Sequence, residues 1–191
     1  MRKLNRPACP NPTALAANYK HQDIKKTLTD ACFGKCMYCE SGVTQVYFGD
    51  VEHIKPKSKF PELKFEWENL GFVCAKCNNA KADKYDESTP YVNPYEDDPD
   101  DHLLAFGSQL RQKNGSERGE LTIIDIALNR LELLEKRQTR IEEIDKAIKA
   151  CMRTGNEALK NAALSALKQE ADADKEYSLF VKTLLQLHEI I

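Results

Sequence analysis

No stretch of this chain approaches the roughly 20 consecutive apolar residues that a membrane-crossing helix needs, so nothing in it reads as a membrane protein. An excess of positive charge is also missing: 28 Lys and Arg stand against 30 Asp and Glu. That balance excludes a general nucleic-acid coat and confines any phosphate binding to a local patch. The N-terminus, "MRKLNRPACPNP", is basic but runs into prolines instead of an apolar segment, so no secretion signal is expected and the cytoplasm is the expected compartment. Tryptophan is nearly absent, with a single Trp, and the 191 residues leave room for one domain or for a small module with an extension.

Cysteine is what the chain has in quantity. Of seven, four form two pairs of identical spacing, "CMYC" with Cys36 and Cys39, and "CAKC" with Cys74 and Cys77. Two residues between thiolates let one turn of chain place both sulfurs on one side of a tetrahedral zinc ion, and a second such turn closes the site. Four protein ligands leave no open position, so the zinc is expected to be structural. An odd cysteine count and the expected compartment argue against disulfides. Cys9, Cys32 and Cys151 have no partner at such spacing and read as small apolar residues.

The segment between the knuckles holds the chemistry. "TQVYFGDVEHI" is rich in β-branched and aromatic residues around a Gly-Asp pair and reads as a hairpin, with Glu52 and His53 at the end of its second strand. Pro56 breaks that strand. After Cys77, "NNAKADKYDE" lacks a breaker and is expected to begin a helix with Asn78 in its first turn. A carboxylate and an amide oxygen are hard ligands suited to magnesium or manganese, and an unligated imidazole beside them can take a proton from water. That is equipment for metal-assisted phosphodiester hydrolysis.

Glu52-His53, Pro56, Ser58, Asn69 within "WENL" and "CAKCNNAK" together resemble the HNH endonucleases, whose ββα-metal finger is often held by two Cys-x-x-Cys knuckles. The resemblance covers residues 36 to about 85. It implies His53 as general base, Glu52 and Asn78 as ligands of a catalytic Mg or Mn, Asn69 as the prop of the histidine loop, and Lys81 as a phosphate contact. Asn78 stands where many members carry histidine, making this a His-Asn-Asn variant and shifting metal choice away from zinc and nickel. Asn79 takes that role if the helix starts one residue later. Lys55, Lys57, Lys59, Lys76 and Lys84 flank the motif and are the expected DNA-backbone contacts.

The sequence divides into a net-positive stretch over 1–90, with 14 Lys and Arg against 11 Asp and Glu, and a helical stretch over 120–191. Between them, 91–119 opens with five acids and two prolines and is expected to be a solvated connector. Beyond it, Ile124, Leu128, Leu131 and Leu134, then Ile141, Ile144, Ile148 and Cys151, recur at three- and four-residue spacing. A break at Gly155 and further leucines predict a three-helix bundle. His21, His102 and His188 fall outside every motif. The expected class is α+β, a zinc-stapled ββα finger followed by a helical bundle for docking or homo-oligomerisation. "LTIIDIALNRLELLEKR" also resembles the helix after the nuclease motif in small bacterial HNH proteins of anti-phage defence, such as the HNH subunit of Septu, which implies an ATPase partner. The competing readings are a zinc module that binds nucleic acid without cutting it and a scaffold subunit.

Overall fold

A computed structural model describes residues 1–43 and 49–191. The chain is α+β. Two short helices, α1 (Pro12–Ala17) and α2 (Gln22–Ala31), precede the first strand, β1 (Asp50–His53). A long loop leads to β2 (Leu70–Val73) and directly into α3 (Ala75–Lys81). β1 and β2 pair antiparallel, with Glu52 opposite Gly71 and His53 opposite Leu70. The strand–strand–helix order is therefore the expected one, but the partner of the strand bearing Glu52 and His53 is Leu70–Val73. Thr44–Phe48, the first arm of the hairpin expected from sequence, lie outside the described residues. The helix also differs from expectation: it begins at Ala75, after the Cys74 cap, and ends at Ala82, whose φ of 49° breaks it.

Close packing explains the glycine in β2. A Cβ on Gly71 would fall 2.2 Å from Met37 Sδ, and Met37 N donates to Phe72 O at 3.0 Å, so the first knuckle lies hard against the sheet. On the sheet, Leu70, Phe72 and Val73 bury their side chains against Ile24 and Leu28 of α2. Each such side chain contributes about 1.5–3 kcal/mol on burial. Trp67 is fixed at the back by its indole N–H, which donates to Pro7 O at 2.8 Å. Arg6 donates to Trp67 O and lies 3.9 Å from the Tyr95 ring centre.

The region expected to be a solvated connector is part of the fold. Tyr91, Val92, Asn93 and Tyr95 are buried, and Arg118 binds Asp97 together with the carbonyls of Pro90 and Tyr91. After the short α4 (Pro99–His102), β3 (Leu103–Phe106) and β4 (Gln109–Gln112) form a second antiparallel hairpin leading to α5 (Glu117–Asp125). The acids misled because several of them cap or pair: Asp98 caps α4, and Asp97 holds Arg118.

The long α6 (Leu131–Arg153) packs against α7 (Glu157–Gln169) and α8 (Ser178–Leu187). One apolar core runs from Met1 through the sheet to Phe180, and a smaller one joins Ile144, Ile148, Leu167 and Val181. The expected stripe is only partly internal. Ile124 and Leu131 face outward at 64% and 67% exposure, because a turn with Ala127 at φ 52° separates α5 from α6 and resets the helical phase.

Candidate active site

Two sites share α3. The first is the cysteine cluster, where all four Sγ atoms lie within 4.8 Å of one another and Cys39 and Cys74 are 3.9 Å apart. Ligand bonds of about 2.3 Å in tetrahedral zinc put sulfurs roughly 3.8 Å apart, so the donor set fits that ion. The knuckle turns are built by backbone bonds, Cys36 N to Ser41 O and Glu40 N to Cys36 O. A basic side chain not singled out from sequence reaches the sulfurs. Arg130, capping α6, places Nη1 3.4 Å from Cys77 Sγ and Nη2 3.9 Å from Cys74 Sγ. Burial opposes its charge, but Cys77, Cys39 and Cys74 together outweigh that and hold the Arg130 pKa above its usual value.

The second site is a cavity of about 210 Å³ lined by Glu52, His53, Asn78, Lys57, Asp50 and Tyr19 among others. His53 Nε2 lies 3.0 Å from Lys64 O. A carbonyl only accepts, so Nε2 carries the proton and Nδ1 keeps its lone pair. Burial lowers the His53 pKa, which favours this neutral tautomer.

Asn69 fixes the loop that supplies Lys64. Its Oδ1 accepts from Lys55 N at 2.7 Å, and its Nδ2 donates to Lys55 O at 3.0 Å and Leu63 O at 3.2 Å. One amide thus ties both ends of the loop. Each bond contributes on the order of 1 kcal/mol net, but together they set where the imidazole is held.

Glu52 is buried and its Oε1 is 2.5 Å from Lys81 Nζ. Burial raises the Glu52 pKa, with Lys81 opposing that shift. Lys81 also donates to His53 O at 2.9 Å and has no exposed surface. The phosphate contact expected of Lys81 is therefore corrected: it sits inside the domain, as counter-charge to Glu52 and as a tie to the backbone of His53. Asn78 Nδ2 donates to Asp50 Oδ2 at 3.2 Å, leaving Oδ1 as the amide atom for a cation. Glu52, Asn78 and Asp50 offer hard oxygen atoms to one cavity, the donor set magnesium or manganese takes.

The lysines separate. Lys57 lines the cavity. Lys55 pairs with Glu87 and faces a different, glutamate-rimmed cavity of about 440 Å³. Lys59 donates to Tyr85 O, Lys84 to Ala80 O, and Lys76 pairs with Glu132 of α6. Of the five expected backbone contacts, only Lys57 adjoins His53. Asp50 was missed although it lies two residues from Glu52 on the same face of β1, a periodicity that could have found it. Tyr19, Lys20 and Arg130 carry no sequence signal, being distant along the chain.

The family model described as HNH endonuclease matches residues 36–84, the span that holds both knuckles, β1, the Asn69-tied loop, β2 and α3. Residues 36–84 are therefore similar to an HNH domain. The chain also resembles two proteins called Septu protein PtuB. It is 28% identical over 204 aligned positions to that of Bacillus mycoides (strain KBAB4), covering 91% of this chain and 68% of that protein. With that of Bacillus thuringiensis it is 33% identical over 112 positions, covering 58% of this chain and 43% of that protein. The first alignment extends well beyond residues 36–84, so the likeness includes helical elements as well as the matched segment.

Proposed function

We propose that the protein is a metal-dependent endonuclease that hydrolyses DNA phosphodiester bonds, with structural zinc in the Cys36–Cys39–Cys74–Cys77 cluster. The observation that carries this reading is the His53 tautomer: Nε2–H is committed to Lys64 O, and Nδ1 is left as a base in the cavity that holds Glu52 and Asn78. His53 Nδ1 takes a proton from water as the water oxygen bonds phosphorus and the P–O3′ bond breaks, and the departing O3′ takes a proton from solvent, giving 5′-phosphate and 3′-hydroxyl ends. Asn69 keeps the imidazole aimed, and Lys57 meets a phosphate oxygen. A divalent cation held by Glu52 and Asn78 would polarise the phosphate and stabilise the departing oxygen.

The likeness to Septu protein PtuB supports a role in anti-phage defence in the bacterial cytoplasm beside a partner ATPase. Among the described residues no helix is long and apolar enough to cross a membrane. Leu131, Leu159 and Leu187 stand exposed on the helical region and support docking of that partner or of a second copy.

The alternative, a zinc module that binds nucleic acid without cutting, has one observation on its side, the neutralisation of Glu52 by Lys81. Plasmid nicking against Mg and Mn concentration separates the two. Glu52→Gln and Asn78→Ala should need more cation than the wild type to reach the same rate. A wild type inert at every cation concentration, alone and with the partner, would favour the binding module.

A further inference from the structure

The cavity is not built from the matched segment alone. Its outer wall is the turn between α1 and α2, which lies outside residues 36–84. The Tyr19 ring centre lies 4.6 Å from that of His53, with the planes inclined at 72°, an edge-to-face contact. The turn is held in place from both sides. Asn18 Oδ1 accepts from Lys20 N at 2.9 Å, His21 N donates to Asn18 O, and α2 is anchored by fully buried Ile24 and Leu28.

Charge is arranged on the same ring. Lys57 Nζ lies 5.3 Å and Lys20 Nζ 5.9 Å from the Tyr19 centre, and both residues line the cavity. Lys55, Lys76 and Lys81 are each paired with a glutamate. Among the described residues, Lys20 and Lys57 have no carboxylate at ion-pair distance. Both ammonium groups lie by the Tyr19 ring, in a cavity that also holds the carboxylates of Asp50, Glu52 and Asp83. A lysine without an ion-pair partner is free to meet a phosphate of a polyanion lying beside His53.

We infer that this turn completes the active site: Tyr19 is a positioning residue that holds the His53 imidazole, and Lys20 with Lys57 binds a substrate phosphate beside the scissile one. The inference rests on the nuclease reading of the same cavity. The single hydrogen bond at Nε2 orients the imidazole only about one axis. The Tyr19 ring supplies the second constraint by blocking rotation of the ring plane, so Nδ1 stays aimed into the cavity. The aromatic body does this, not the hydroxyl.

The test compares Tyr19→Phe, Tyr19→Ala and Lys20→Ala in the full chain, with zinc content and melting temperature as controls for folding. Misplacing a catalytic group by an ångström costs up to about 100-fold, so Tyr19→Ala should lose 10- to 100-fold in kcat with KM little changed, and Tyr19→Phe should restore it. Lys20→Ala should keep kcat, raise KM several-fold and lower the salt slope of DNA binding by about one. A second readout does not depend on cutting: the His53 Nε2–H proton signal should persist in wild type and Tyr19→Phe and be lost to exchange in Tyr19→Ala. If Tyr19→Ala cuts as fast as wild type, or if Tyr19→Phe is as impaired as Tyr19→Ala, the inference fails while the nuclease reading stands. A wild type that cuts nothing at any Mg or Mn concentration, alone and with the partner, overturns the nuclease reading and this inference with it, even where the proton signal behaves as described.

Discussion

The cysteine cluster and the His53 cavity sit at opposite ends of one seven-residue helix and are built on opposite principles. The cluster is closed, with four like ligands converging and a positive side chain, Arg130, covering them from the helical region. The cavity is open, lined by unlike groups, with its buried acid, Glu52, paired to Lys81. What links them is α3: Cys74 caps it and Cys77 lies in it, and the same turns carry Asn78 and Lys81. The cluster therefore fixes the helix from which the cavity draws two residues. A defect should pass from cluster to cavity and not in the reverse direction.

The largest effect expected of any change is loss of the cluster. Structural zinc in small fingers contributes on the order of 10 kcal/mol, so Cys39→Ser or chelation should abolish the cooperative melting of the segment around the cluster and any cleavage with it. Circular dichroism and elemental analysis check this. Unchanged melting without zinc would break the proposed one-way link.

Next comes Lys81→Met, which strands Glu52 as a buried charge. Removing one partner of a buried pair costs about 3–5 kcal/mol, and the double variant Lys81→Met/Glu52→Gln should recover much of it. Denaturant unfolding measures both. Zinc content should remain one per chain throughout, since neither residue touches the sulfurs.

Smaller still is Arg130→Gln. Groups that hydrogen-bond to metal ligands affect metal affinity by about 10- to 100-fold, so zinc should pass to a chromogenic chelator faster by that factor while the fold persists. The smallest effect is at Lys76, whose exposed pair with Glu132 is screened by solvent. Lys76→Ala should leave melting, zinc retention and cleavage at wild-type values.

The contrast between the sites also explains what the sequence disclosed. The cluster was legible because both knuckles place their ligands three residues apart, a local pattern. Glu52, His53 and Asn69 stood out by their order between those knuckles and Asn78 by its place just after the second, and the structure brings Glu52, His53 and Asn78 to one cavity with Asn69 tying the loop behind it. Lys81 was misread because a lysine beside an active site looks like a surface charge, and nothing local announces that it faces inward to a glutamate 29 positions earlier. Tyr19 and Arg130 were invisible for the same reason: each reaches its site from more than 30 residues away, across a fold that residue spacing does not encode. The connector was misread because charge composition reports solvation and not the partners, such as Arg118, that bring acids into a fold.

One preparation of His53→Ala tests the central claim most directly, with zinc content and plasmid cleavage measured side by side against wild type in matched Mg or Mn. A general base contributes on the order of 10²- to 10⁴-fold. The account predicts one zinc per chain in both proteins and cleavage reduced by that factor in the variant alone. Cleavage by His53→Ala at the wild-type rate would contradict it.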